Sequence, residues 1–151
     1  MALPDVLRTR VVRRITADPT STALLLTGPA AIELWPGVRR VGDAGGRALV
    51  ETDRPDTGGT TAAAVRALPP RRTPTSYVTR FDFSGPGLPS TSAVLTLAYA
   101  PTRDGVLTTH AVLELTSDLP LADGDEGRLT GEATAFLDNL GRAAERRSDA
   151  A

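Results

Sequence analysis

Six runs of β-forming residues, each parted from the next by a few turn formers, fill the middle of this chain and limit what it can become. The runs are Val38 to Val41, Arg47 to Asp53, Thr60 to Leu68, Thr75 to Phe83, Thr91 to Tyr99 and Val106 to Thr116. They are rich in β-branched and aromatic residues that alternate with polar ones. Their separators are turn formers: Asp43-Ala44-Gly45-Gly46, Asp56-Thr57-Gly58-Gly59, Pro69-Pro70, Gly85-Pro86-Gly87 and Arg103-Asp104-Gly105. A parallel pair needs a crossover of a dozen residues or more, so links this short predict an antiparallel meander.

The flanks complete the pattern. Val6 to Ile15 reads as a first strand with a wet outer face. Ala17-Asp18-Pro19-Thr20 then signals a helix, with Asp18 as N-cap and Pro19 at the first helical position. Leu24, Leu25 and Leu26 give that helix an apolar side, and Gly28 ends it. Pro29 opens a second short helix, to Leu34, stopped by Pro36-Gly37. After a loop from Leu119 to Gly127, a long helix is predicted from Gly127 to Arg147, with its tail, Arg146 to Ala151, frayed. Leu129, Ala133, Phe136, Leu137, Leu140 and Ala144 form one stripe along it. Burying each of its large members stabilises by about 1.5–3 kcal/mol, so this helix must lie on the sheet. The expected class is α+β, in the order β-α-α-β-β-β-β-β-β-α.

Composition removes several chemistries. The chain of 151 residues fits one domain, residues 1–151, with no repeat or linker; a chain this size buries close to about 70% of its unfolded surface. It has no cysteine, so disulfides, zinc–thiolate sites and thiol nucleophiles are excluded. All 17 basic residues are Arg, which rules out a lysine Schiff base and a Walker-type phosphate loop. One histidine, His110, excludes an imidazole cluster around a metal, and neither metal nor cofactor is expected. The pairs Arg13-Arg14, Arg39-Arg40, Arg71-Arg72 and Arg146-Arg147 are scattered, lack interleaved aromatics and sit in a chain of net charge −1. No nucleic-acid partner is expected. The start, Met-Ala-Leu-Pro-Asp, lacks the features of a signal peptide, and the longest apolar stretch, Ala23 to Leu34, is short and broken by Gly28-Pro29. The expectation is a cytoplasmic protein, monomer or homodimer, without stable membrane insertion.

Ile15-Thr16-Ala17-Asp18-Pro19-Thr20, shortly before Leu24-Leu25, resembles the opening of the START-like (Bet v 1-like, SRPBCC) superfamily, where a strand ends in an I-x-A-x-P step. Ile32-Glu33-Leu34-Trp35-Pro36-Gly37-Val38 looks like that superfamily's passage from second helix to second strand. Phe136-Leu137, Asn139-Leu140 and Ala144-Glu145 are similar to its terminal helix. With the element order, the resemblance spans nearly the whole chain, and it looks most like the bacterial polyketide cyclase/dehydrase and lipid-transport branch. It implies a helix-grip fold, a curved antiparallel sheet wrapped around the terminal helix, and a cavity between them for lipids, sterols, polyketides or similar molecules. No aromatase/cyclase catalytic motif maps onto these residues, so the resemblance carries over no catalytic residue.

Strand alternation assigns the inner face. It comprises Tyr77, Thr79, Phe81 and Phe83; Ala93, Leu95, Leu97 and Tyr99; and Leu107, Thr109, Ala111, Leu113 and Leu115, with Ala48, Val50, Thr52, Ala63, Val65 and Ala67 upstream. Alanine is the commonest apolar residue, against three Phe, two Tyr and one Trp. Small inward side chains across a curved sheet leave either a void of about 300–1,000 Å³ or a flatter sheet with a filled core. The candidate ligand-binding residues are Trp35, Val50, Val65, Tyr77, Phe81, Phe83, Leu95, Leu97, Tyr99, Leu113, Phe136, Leu137, Leu140 and Arg13.

Each polar candidate has two readings. Arg13 shares a face with Leu7, Val11 and Ile15, so it either anchors a carboxylate or enolate through paired hydrogen bonds or snorkels to water at the rim. Tyr77 and Tyr99 either offer a hydroxyl to a ligand or fill the wall. Trp35 is expected as a lid or core plug. His110 groups with Thr108, Val112 and Glu114 and should point outward; Glu114 is about 13 Å away along the strand, and no G-x-S-x-G elbow exists to build a triad. Three functions follow: a carrier or sensor of a hydrophobic small molecule, a polyketide cyclase or dehydratase using the same cavity, or an interaction domain with a vestigial pocket.

Overall fold

Ten residues with alternating apolar side chains form strand β1 (Val6–Ile15), and Asp18 turns the chain into helix α1 (Pro19–Leu24) by accepting the Ser21 N–H at 3.1 Å. A 3-10 helix, Pro29–Leu34, follows. The sheet continues with β2 (Val38–Ala44), β3 (Arg47–Asp53), β4 (Thr60–Ala67), the two-residue β5 (Arg71–Arg72), β6 (Ser76–Ser84), β7 (Thr91–Pro101) and β8 (Leu107–Asp118). The chain ends in helix α2 (Asp125–Asp149). This computed structural model describes residues 6–53, 59–85, 90–102, 104–118 and 125–149. The predicted turns at Asp56-Thr57-Gly58, Pro86-Gly87 and Arg103, most of the loop from Leu119, and the first and last residues of the chain lie outside the described residues.

All pairings are antiparallel, in the order β1-β8-β7-β6-β4-β3-β2, with β5 beside β6. The sheet is curved and open, and α2 lies in its concavity, which is the α+β helix-grip arrangement. Short links produce the meander as expected. Between β2 and β3 both turn residues, Gly45 and Gly46, have positive φ (58° and 78°), the conformation whose twist matches paired strands.

The inner face follows the alternation closely. Leu95, Leu97, Ala111, Leu113 and Leu115 are buried against Ala133, Phe136, Leu137 and Leu140 of α2 in one core cluster. Departures come at the ends of elements. α1 stops at Leu24, which is 51% exposed, while Leu26 tucks into the core from the turn that follows. The second helix is 3-10 rather than α. Leu107 and Ala67, placed inward by parity, are exposed where their strands outrun the covering helices. β5 has no counterpart in the sequence pattern, since two arginines after Pro69-Pro70 carry no alternation to read. α2 begins two residues early and stays helical through Asp149, past the expected fraying at Arg146.

Candidate ligand-binding site

The chain's three Phe and its single Trp meet at one place. Trp35, at the step from the 3-10 helix to β2, stacks on Phe136 of α2 with ring centroids 4.3 Å apart. Its edges meet Phe83 at 5.0 Å and Phe81 at 5.7 Å, and Phe81 meets Phe136 at 5.5 Å. Local sequence explains the placement. Pro36-Gly37, with φ +68° at Gly37, turns the chain sharply after Trp35. The amide of Asn139 donates to the Leu34 carbonyl at 2.8 Å, pinning this step to α2. Of the two alternatives, void or filled core, rings fill the interior at this point, each such pair adding about 0.5–1.5 kcal/mol beyond its burial.

Beside this cluster opens a cleft of about 370 Å³, bordered by Glu33, Trp35, Val38, Arg39, Glu51 and Asn139. Its charges are largely matched. Arg39 pairs with Glu51 across the β2–β3 ladder, and hydrogen bonding to Glu51, then its charge, holds the guanidinium above its ordinary range. Glu33 accepts the Arg40 backbone N–H at 3.3 Å. The Trp35 indole N–H is buried and has no hydrogen-bond partner among the described residues. An orphaned buried donor costs about 1–3 kcal/mol relative to a satisfied one.

The sequence-derived candidates divide into two sets. Trp35, Val50, Val65, Phe81, Leu95, Leu97, Leu113, Phe136, Leu137 and Leu140 are all buried in the interior, with Tyr77 and Phe83 packed at its margin. Arg13 and Tyr99 are held by partners outside that cluster. Arg13 lies between β1 and α2, with Nε 3.3 Å from Asp138 and a terminal nitrogen 3.4 Å from Glu145. Glu145 also accepts the Thr16 N–H at 2.9 Å. Tyr99 is 38% exposed, and its hydroxyl lies 3.3 Å from the Thr20 hydroxyl, which also bonds the Tyr77 hydroxyl at 3.0 Å. The two tyrosines thus brace α1 instead of aiming polar atoms inward. His110 is exposed on the outer face, opposite Arg14.

Sequence reasoning missed Asn139, Thr20 and Gly141. Asn139 and Thr20 carried no readable signal, because their partners lie far along the chain. Gly141 did: a glycine within a helix stripe marks a close approach. A Cβ built there would sit 1.0 Å from an Arg13 guanidinium nitrogen. Among the described residues no three metal-ligating side chains come together, and no helix is long and apolar enough to cross a membrane.

No family model matches the sequence, and no curated relative matches it. Solved structures do match. A conserved protein from Geobacillus kaustophilus superposes with a TM-score of 0.67 at 13% identity, covering 93% of this chain and 96% of its own. A protein from Thermus thermophilus gives 0.62 at 17% identity, with 94% and 99% covered. The Zhui aromatase/cyclase from Streptomyces sp. R1128 gives 0.60 at 17% identity, with 95% and 96% covered. At these identities the likeness is one of fold, and it extends over nearly the full length of each chain.

Proposed function

We propose that this chain binds a hydrophobic small molecule at the interface of sheet and terminal helix, as a carrier or sensor, with Trp35 separating the interior from the cleft. The observation that carries this reading is the orphaned indole N–H beside an open cleft of about 370 Å³. A ligand with an apolar body and one acceptor oxygen, a carbonyl or carboxylate, satisfies that donor. Reaching it requires the ring to tilt off Phe136, and the same tilt opens the apolar interior behind it. Binding and opening are then one event.

Because the chain has a single Trp, its fluorescence reports on this event directly. Titration with fatty acids, sterols and aromatic polyketides should shift emission saturably for at least one class, and native mass spectrometry should show the complex. Trp35→Phe keeps a ring for the stack but deletes the donor and the fluorophore, so its affinity, read by native mass spectrometry, should fall about ten-fold or more. No shift and no complex across the three classes would end this reading.

A cyclase or dehydratase acting in the same place is the second reading, favoured by the likeness to the Zhui aromatase/cyclase. It needs a group that steadies an enolate. Arg13 is engaged by Asp138 and Glu145, and Tyr77 and Tyr99 by Thr20, which weighs for the non-catalytic reading.

A further inference from the structure

On the face of the sheet opposite α2, the pairing register lines up one row of side chains. Ala48 pairs with Val65, so Arg47, one residue earlier, stands across from Arg66; Arg66 pairs with Asp82 and Asp82 with Ser92. Directly opposed positions on one face put Cβ atoms about 5 Å apart, where like charges destabilise a sheet. Among the described residues, neither Arg47 nor Arg66 has an ion pair or side-chain hydrogen bond. The hairpin next door differs, since Arg39 pairs with Glu51 and Arg40 with Asp43.

The carboxylate that stands across from Arg66 in the register is already in use. Asp82 accepts from Arg80 Nε at 2.8 Å and from the Ser92 hydroxyl at 2.8 Å, while Arg80 also donates to Ser92 Oγ at 3.1 Å. Partial burial pushes the Asp82 carboxyl up, but hydrogen bonds from Arg80 and Ser92 and the charges of Arg80 and Arg66 leave it below its ordinary value. It is ionised at neutral pH and counts as one negative charge against three guanidiniums. Arg47, Arg66, Arg80, Asp82, Ser84 and Ser92 border a groove of about 300 Å³, room enough for a small anion.

The geometry points to this groove as a binding site for a phosphate or diphosphate group, held between the facing guanidiniums of Arg47 and Arg66 with Arg80 at its side. Guanidinium matches phosphate oxygens through paired N–H donors, and such an anion relieves the repulsion that the register imposes. The proposal does not rest on the ligand-binding reading, because the arginines it invokes lie on the face opposite α2, although Phe83 borders this groove as well as the aromatic cluster.

Calorimetric titration of pyrophosphate into the full chain at low ionic strength tests it. Saturable binding is expected, weakened about ten-fold or more in Arg47→Gln and in Arg66→Gln. Arg14→Gln, an exposed charge on the same face but in another row, should leave it unchanged. Co-sedimentation with phosphatidic acid vesicles against phosphatidylcholine vesicles separates the sources. Pyrophosphate binding without vesicle binding assigns a free phosphorylated compound, and vesicle binding alone assigns a lipid headgroup. All these arginines are exposed, so unchanged circular dichroism should certify each variant. The proposal is overturned when wild type binds neither probe, or when Arg47→Gln and Arg66→Gln bind as tightly as wild type.

Discussion

Arg13 and Gly141 form a single device at opposite ends of the sequence. The guanidinium lies against the helix backbone where Gly141 lacks a Cβ, and Asp138 and Glu145 meet it from one turn before and after. One of its terminal nitrogens is buried without a partner, so the contact depends on shape as well as charge. Two effects oppose each other in Gly141→Ala. Alanine favours the helix by about 0.5–1 kcal/mol, whereas forcing a methyl into filled space costs about 1–3 kcal/mol. The atoms met by the new Cβ are the end of the flexible Arg13 side chain, so the guanidinium swings aside and the cost is the loss of its contacts with Asp138 and Glu145. Urea denaturation should show Gly141→Ala destabilised by no more than about 1 kcal/mol. In an Arg13→Ala background the clash is gone, so the same substitution should be neutral or stabilising. Equal losses in both backgrounds would show that the two residues are not coupled. Sequence reading placed Arg13 on the inner face correctly but could not supply its partners, which lie at the far end of the chain.

At the scale of elements, legibility tracked periodicity. Strands with one dry and one wet face declare themselves, because a one-residue slip turns Leu95, Leu97, Leu113 and Leu115 to water. Helix α1 had no such period to read; its six residues are set by a cap and a proline, and three consecutive leucines cannot share one helical face. That makes Asp18 the residue on which α1 most depends. Its carboxyl is held below its usual value foremost by hydrogen bonding from the Ser21 side chain, with burial opposing and the Ser21 backbone adding to it. The sign follows from linkage. The unfolded chain binds the proton more readily, so the cap's contribution is complete above the ordinary value of 3.8 and is lost as pH falls through the folded-state value below it. Asp18→Ala should cost about 1 kcal/mol near neutrality, and the gap from wild type should shrink well below pH 3.8. Asp18→Asn, a neutral cap, should hold most of the stability and lose the acid dependence. A gap that stays constant with pH would remove the carboxylate from this role.

Over the whole molecule, the first strand and last helix clasp each other while the aromatic cluster ties α2 to the chain's early turn. Thr9 bonds Thr130 at 2.9 Å, and Arg13 and Thr16 meet Glu145 further along the same helix. The order of elements was readable, but the Trp35–Phe136 stack was not, since nothing local couples residues so far apart in the chain. Whether that stack is permanent core or a displaceable plug is the question on which the proposed function turns, and Phe136→Ala answers it. Phe136 is fully buried against Trp35 and Phe81, so truncation should cost about 3–5 kcal/mol and lower the melting temperature by about 10 °C or more. In a permanent core that loss is final. If the fold is built to admit an apolar body beside Trp35, the truncated protein should recover stability on adding the ligand found by Trp fluorescence, in proportion to the logarithm of its concentration. It should also bind that ligand more tightly than wild type, because Trp35 no longer has to give up its stack on Phe136 before it tilts. A destabilised variant that gains nothing from any ligand bound by wild type would mark the interface as core alone and locate binding elsewhere.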